Sequence, residues 1–111
     1  MNLQNQVYSG CLKSDILWSD PVDSENGECS PAFKQNNLRG CSYNFGKKAL
    51  NFFLKKNKLI SLIRGHEAQM DGYKMHKWNG DQEFPPIITI FSAANYCDSY
   101  KNKGSIITFD V

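Results

Sequence analysis

The chain has 111 residues, of which 41% are hydrophobic and 22% are charged, a balance typical of a folded globular protein. Thirteen lysine and arginine residues against eleven aspartate and glutamate residues leave a formal net charge of +2. That charge is too small to indicate nucleic acid or an anionic membrane as a partner. The longest apolar runs are far shorter than the roughly 18 residues of a membrane span, and no apolar leader opens the chain.

The four cysteines lie far apart and have no histidines at zinc-finger spacing; they are Cys11, Cys29, Cys41 and Cys97. This usage indicates reduced thiols and therefore a cytoplasmic protein. A zinc-stabilised interaction domain remains an alternative, with the ligands Cys29, Cys41, His66 and His76.

Residues 1–10 are polar and show no periodicity, so they are predicted to be a loose leader. The apolar run Ile16–Trp18 stops before Pro21, which predicts a short buried turn or helix with Trp18 as a core anchor. Residues 22–37 are rich in Asp, Ser, Asn, Gly and Pro, a composition that predicts a surface loop.

Residues 46–58 predict a helix, because apolar side chains recur on one face and the lysines are available to water. The apolar face comprises Ala49, Leu50, Phe53 and Leu54. The run Leu59–Ile63 then predicts a buried strand that brings His66 to the edge of a sheet.

Tyr73, Met75 and Trp78 are compatible with a half-buried strand, with Lys74 and His76 on the opposite, exposed face. A hairpin-like turn over residues 79–83 follows. Further predicted elements are a buried strand at Ile87–Phe91, a polar loop at 92–103 and a strand at Ile106–Phe109. Two helical pieces followed by strands indicate an α+β protein whose later part is a meander.

Two polar residues, His66 and Arg39, are of types that binding and catalytic sites use. His66 lies in a turn with carboxylates nearby, and a neutral imidazole in that setting is either a metal ligand or a structural or exposed histidine. Arg39 precedes a glycine that allows close approach, so its guanidinium is either a phosphate clamp or a solvated surface group. The residues alone leave both alternatives open.

Four motifs in order closely resemble the metal-dependent serine/threonine phosphoprotein phosphatases. They are Leu-Trp-Ser-Asp-Pro at 17–21, Arg-Gly-Cys-Ser-Tyr at 39–43, Arg-Gly-His-Glu-Ala-Gln at 64–69 and Ile-Thr-Ile-Phe-Ser-Ala-Ala-Asn-Tyr at 88–96. The finer match is to the catalytic (A) subunits of the calcineurin branch, through Gly-Cys-Ser-Tyr at 40–43, Glu-Ala-Gln at 67–69 and Phe-Pro at 84–85.

The resemblance covers residues 11–111 and corresponds to the C-terminal half of that catalytic domain. It implies an α+β fold, part of a calcineurin-like metallophosphoesterase β-sandwich flanked by helices. The family motifs Gly-Asp-x-His-Gly, Gly-Asp-x-x-Asp-Arg-Gly and Gly-Asn-His-Glu do not occur in this sequence. The chain is therefore expected to be a fragment, a truncated gene product or the product of an incomplete gene model.

The resemblance implies metal-assisted hydrolysis of phosphoserine and phosphothreonine in proteins, with no activity expected from these residues alone. His66 would be a ligand of a dinuclear iron/zinc or manganese centre and the only ligand in this chain. Arg39 would be catalytic and bind the substrate phosphate, and Tyr96 would contact the substrate. Gly65 and Ala94 stand where the family usually has alanine or serine and proline, which adds backbone freedom at both places.

The implied partners are a phosphoprotein substrate and, for a longer parent, a calcineurin B-like subunit and calmodulin, whose sites would lie outside this chain. A different class of function remains as an alternative. The chain would then be a non-catalytic phosphatase-like binding module that uses Arg39 to hold a phosphorylated or acidic partner, or a relic.

Overall fold

The computed structural model describes residues 11–80 and 83–110. They belong to two compact units, Met1–Phe53 and Leu54–Val111, and the division falls within a helix. The leader predicted at residues 1–10 lies outside the described residues. Among the described residues, no helix combines the length and the apolar character that a membrane span requires.

The first unit contains helix α1, a three-stranded sheet and the start of helix α2. The elements are α1 (Leu12–Trp18), β1 (Asp20–Pro21), β2 (Phe33–Gln35), β3 (Tyr43–Phe45) and α2 (Lys47–Asn57). Strand β3 is central, parallel to β1 and antiparallel to β2. The sheet therefore brings the motif at 17–21 next to the motif at 39–43.

Helix α1 is less buried than the sequence predicts. Ile16 is 71% exposed and Leu17 is 53% exposed, whereas Ser14 is fully buried, with its Oγ 3.3 Å from Ser42 Oγ. Trp18 is only partly buried and is not a deep core anchor. A helix of seven residues presents a narrow stripe to its neighbours, so an apolar cluster at its C-terminal end is not automatically covered.

The predicted loop over residues 22–37 contains strand β2. The strand pairs with β3 from Phe33 opposite Phe45 to Gln35 opposite Tyr43, and all three of its residues are exposed. An edge strand with no buried face lacks the apolar alternation by which strands are usually recognised, which explains why the prediction was wrong here.

Helix α2 confirms the predicted helix, although its buried stripe is narrower. Leu50 and Leu54 are buried, whereas Phe53 is 47% exposed and Phe52 is 70% exposed. At its C-terminal end Lys58 has φ +55°, and the Leu59 amide donates to Leu54 O at 2.9 Å. These are features of a left-handed helix stop.

The second unit contains β4 (Leu62–Arg64), β5 (Tyr73–His76), β6 (Ile87–Ile90) and a short 3₁₀ helix (Tyr96–Asp98). Strand β4 begins later than the predicted Leu59, because Leu59 is used in the stop of α2. Strand β6 is central, parallel to β4 and antiparallel to β5. The predicted meander is therefore wrong, since the last strand in the chain lies between the two earlier ones.

The buried strand predicted at Ile87–Phe91 is confirmed over Ile87–Ile90. Ile87 and Thr89 have no exposed surface, and Ile88 is 7% exposed. A strand that is apolar at nearly every position is typical of one covered on both of its faces, and successive residues of β6 are indeed buried. Strand β6 is no longer than β5, since both have four residues, so its apolar composition and not its length distinguishes it as the central strand.

The two faces of β5 are the reverse of the prediction. His76, expected to be exposed, is 5% exposed, whereas Tyr73 and Met75 are 49% and 51% exposed. Register places His76 opposite Ile87, on the covered face of the sheet, where its Nε2 lies 3.1 Å from Thr89 Oγ1. The imidazole is buried because it finds a hydroxyl partner there.

The strand predicted at residues 106–109 and the turn predicted at residues 79–83 differ in outcome. Residues 106–109 form no strand, and Ile106 and Phe109 are 84% and 73% exposed, so the predicted strand there is wrong. The hairpin-like turn at 79–83 lies partly outside the described residues, but an observed turn overlaps its start, where the Gly80 amide donates to Lys77 O at 2.9 Å. Both units mix helix and strand, so the α+β class is confirmed.

Candidate functional site

Arg39 lies in the turn that joins β2 to β3, and Asn36 shapes that turn. The Asn36 side-chain oxygen accepts from the Arg39 amide at 3.2 Å, and the Asn36 carbonyl accepts from the Gly40 amide at 3.0 Å. An asparagine that bonds the backbone three residues ahead is a common way to fix a tight turn. The turn therefore holds the Arg39 backbone in place.

The Arg39 side chain is held by Asp20, which comes from β1. Asp20 Oδ2 accepts from Arg39 Nε at 2.8 Å, and Asp20 Oδ1 lies 3.4 Å from Arg39 Nη2. Asn36 Nδ2 donates to the same Oδ2 at 2.8 Å. The carboxylate is 5% exposed and the guanidinium side chain is 24% exposed. A nearly buried acid thus fixes an arginine that still reaches the surface.

Sequence reasoning assigned no role to Asp20. The residue lies in the motif at 17–21 that carries the family resemblance, and that motif was the available signal. The ion pair itself joins residues 19 positions apart, so no local pattern in the chain indicates it.

His66 follows β4 in a turn of unusual backbone geometry. Its φ is +80°, a value that side-chain-bearing residues rarely adopt, and the residue is exposed. Arg64 forms an ion pair with Glu67 across the turn. Strained backbone at a histidine is a feature often found at functional sites, because surrounding structure must hold it there.

The parallel pairing of β4 and β6 brings the His66 turn and the Tyr96 loop to the same edge of the second unit's sheet. Parallel strands end at the same edge, and Arg64 is paired with Thr89. The Phe91 amide donates to Gly72 O at 2.8 Å, which joins the segment after β6 to the turn after β4. His66 and Tyr96 therefore belong to one edge of one sheet.

Tyr96 lies in an aromatic series within its loop. Its ring centroid is 5.3 Å from that of Phe91 and 5.5 Å from that of Tyr100, both in edge-to-face geometry. Tyr96 is 44% exposed, so one part of the ring packs and another faces solvent. Arg39 belongs to the first unit and the His66–Tyr96 edge to the second.

No group of three or more His, Cys, Asp or Glu side chains within residues 11–80 and 83–110 could hold a metal ion. The described residues therefore do not build a metal centre by themselves, and His66 would be a single ligand. The zinc-stabilised alternative gains no support. His76 is buried against Thr89, and the Cys29 thiol lies 3.1 Å from Pro31 O.

Comparison with known proteins shows consistent similarity to one kind of enzyme. The chain is 43% identical to the serine/threonine-protein phosphatase 2B catalytic subunit A1 of Saccharomyces cerevisiae, over 99% of the chain and 21% of that protein. It is 34% identical to subunit A2 of the same yeast, over 99% of the chain and 22% of that protein. No protein-family model matches the chain.

Two further relatives agree. The yeast serine/threonine-protein phosphatase 4 catalytic subunit is 34% identical over 96% of the chain and 30% of that protein. A yeast protein serine/threonine phosphatase with similarity to human phosphatase PP5 has a solved structure that matches 80% of the chain, with a TM-score of 0.60 and 34% identity. The match covers 24% of that structure's chain. The present chain thus spans about a fifth of the length of the phosphatase 2B subunits it matches.

Proposed function

The chain is homologous to a segment of the serine/threonine protein phosphatase catalytic subunits, and from this premise we propose that it supplies the phosphate-binding arginine of such an enzyme. The complete enzyme would hydrolyse phosphoserine and phosphothreonine in proteins. The observation that carries the proposal is the Arg39 guanidinium, oriented by a nearly buried Asp20 and still 24% exposed.

Arg39 suits a phosphate for two reasons. A planar guanidinium binds two phosphate oxygens at once, and its positive charge offsets the negative charge that develops during phosphoryl transfer. Asp20 restrains the side chain before substrate arrives, which reduces the conformational entropy lost on binding. A lysine at this position would provide charge without the fork geometry.

His66 would contribute one imidazole to a metal centre whose other ligands lie outside the described residues. The exposed position of His66 and its location at the strand edge with Tyr96 support that role. The centre would hold iron and zinc, or manganese. Because a single imidazole does not hold two metal ions, the chain alone is expected to have no phosphatase activity.

The wider assignments follow from the same homology. Tyr96 would contact the substrate from the loop after β6. A phosphoprotein would be the substrate, and a calcineurin B-like subunit and calmodulin would regulate a longer parent. A cytoplasmic location remains a prediction from the cysteine usage alone.

Phosphate binding by Arg39 is tested on the chain itself by following the backbone amide signal of residue 39, which the wild type and all variants share, in NMR spectra during a titration with phenyl phosphate. We expect a saturable shift with a dissociation constant in the millimolar range, because one arginine supplies the main charge. Arg39→Gln should abolish saturation, and Arg39→Lys should weaken it. Lys34→Gln, which removes an exposed charge from the same unit, is the matched control. Equal binding by Arg39→Gln and the wild type would overturn the proposal.

A non-catalytic binding module would use the same arginine, so binding alone does not separate the two functions. The transcript read through the region before Met1 does separate them. In-frame Gly-Asp-x-His-Gly and Gly-Asn-His-Glu motifs would support the enzyme, because they would supply the missing ligands. A message that begins at Met1 would favour the binding module.

A further inference from the structure

The loop that carries Tyr96 is closed by one buried side chain outside the predicted site. Asn102 is 4% exposed. Its Nδ2 donates to Ala93 O at 2.9 Å and to Lys103 O at 2.8 Å, and its Oδ1 accepts from the Tyr96 amide at 2.9 Å. Its own carbonyl accepts from the Asn95 amide at 2.9 Å. One residue therefore bonds the loop at its start, near its middle and at its end.

The loop needs such a restraint because its backbone is locally unfavourable. Asn95, Cys97, Asp98 and Lys101 all have φ between +46° and +55°. Each of these conformations is disfavoured for residues with a β-carbon, so local preference alone would not produce this loop. The bonds made by Asn102 oppose that preference.

The segment after Asn102 connects the loop to the rest of the sheet edge. The Lys103 amide donates to Met70 O at 2.8 Å, and the Ser105 amide donates to Phe91 O at 3.1 Å. Met70 lies in the turn that follows His66, and Phe91 lies directly after β6. The position of Asn102 is thus defined by both segments that meet at this edge.

We propose that Asn102 is a positioning residue that fixes Tyr96 in the orientation in which its ring faces substrate. The substrate part of this inference rests on the proposed function. Only an amide of this size supplies two donors and one acceptor to the three backbone groups involved. A carboxylate would repel the carbonyl oxygens of Ala93 and Lys103. An alanine would leave these two carbonyls and the Tyr96 amide without the hydrogen bonds that Asn102 makes.

Amide hydrogen exchange on the chain tests the structural part. In Asn102→Ala the Tyr96 amide should exchange roughly tenfold faster than in the wild type, after normalisation to the amides of β6. Asn102→Asp should also accelerate exchange, and Asn102→Ser should give a smaller change that remains measurable if the other variants fold poorly. Ser99→Asp adds the same negative charge at an exposed position of the same loop and should leave Tyr96 unchanged. Normalised rates that match the wild type in all Asn102 variants would overturn the inference.

A phenyl phosphate titration tests the positioning part, with the Tyr96 amide signal as the readout. Saturation at Tyr96 should be roughly threefold weaker in Asn102→Asp than in the wild type and unchanged in Ser99→Asp. An equal response in Asn102→Asp would overturn the positioning role. A wild type with no response at Tyr96, but with a response at Arg39, would remove Tyr96 from the substrate site and with it the positioning role. A wild type with no response at Arg39 either would defeat the proposed function, while the exchange rates would still decide whether Asn102 holds the loop.

Discussion

Asp20 accepts a hydrogen bond from Arg39 Nε at 2.8 Å while only 5% of its own side chain is exposed. The acid is therefore nearly withdrawn from water and depends on protein donors, and Asn36 Nδ2 supplies another at 2.8 Å. Removing a nearly buried partner of this kind costs more than removing an exposed one, because the groups that remain lose their bonds without regaining full hydration.

Asp20→Ala should lower the free energy of unfolding by about 2 kcal/mol, a value at the moderate end because Arg39 keeps some access to water. Urea denaturation followed by circular dichroism measures this. Glu25→Ala removes an exposed acid from the same unit and should change the free energy of unfolding by less than about 0.5 kcal/mol. Similar unfolding midpoints for the two variants would contradict the role assigned to the ion pair.

His66 is predicted to reduce stability through its backbone. At φ +80° a glycine is less strained than any residue with a β-carbon, so His66→Gly should be more stable than His66→Ala by about 1 kcal/mol. Thermal denaturation of the two variants measures the difference. Ala68→Gly, in the same turn but without a positive φ, should be destabilising by about 0.5–1 kcal/mol. A glycine that destabilises equally at both positions would argue against strain at His66.

Alanine substitutions of Gly72 and Gly80 distinguish the cost of backbone strain from the cost of steric crowding. Both have positive φ, at +82° and +102°, but a β-carbon on Gly72 would clash with Ser105 Oγ and lie 2.9 Å from Gly104 C. A β-carbon on Gly80 would meet nothing within 4 Å. Gly80→Ala should therefore cost about 1 kcal/mol, and Gly72→Ala about 3 kcal/mol or more.

The two variants are compared by urea denaturation of the chain. Unfolding of the second unit is followed through the fluorescence of Trp78, because this residue is 3% exposed in the folded state. If the two variants lose the same stability, the close approach of Gly72 to the segment after Asn102 is not tight enough to matter. That result would also weaken the case that this segment fixes the sheet edge.

Lys103 forms an exposed ion pair with Asp71, Nζ to Oδ1 at 3.0 Å, and the hydrogen bond with Asp71 raises the pKa of Lys103 above its ordinary value of 10.5. A raised lysine pKa stabilises the fold below the ordinary value, and that contribution is lost as pH rises through the raised value. The pair should therefore cause no change in stability between about pH 6 and 9. NMR titration of the Lys103 side chain should show a lower pKa in Asp71→Asn than in the wild type. Asp110→Asn, an exposed control, should leave the Lys103 pKa unchanged.

The sequence predicted those helices and strands that show a clear apolar pattern in their own residues. Helix α2 follows from one apolar stripe, and β6 from a run of β-branched residues, so both were predicted correctly from the sequence. Strand β2 and the exposure of α1 were not, because whether an edge strand or a short helix is covered depends on distant residues. The faces of β5 depended on the register with β6 and on the hydroxyl of Thr89, which no alternation rule contains.

The candidate site divides in the same way. The residue types and turn positions of Arg39 and His66 indicate possible chemistry, but the roles of these two residues and of Tyr96 come from motifs shared with a family and remain predictions. Asp20 and Asn102 act through contacts that only the folded chain creates. Asp20 meets an arginine 19 residues away, and Asn102 is an ordinary loop asparagine in the sequence until its burial and its bonds are seen.

The central position of β6 has a consequence for how the chain acquires its structure during synthesis. Strands β4 and β5 are made first, and both pair with β6, which follows them in the chain. Until Ile87–Ile90 leaves the ribosome, neither earlier strand has its described partner, so the described sheet forms only after β6 has been made. During that interval the unpaired edges are open to other chains, and aggregation of newly made protein should depend on how quickly residues 87–90 follow residues 62–76.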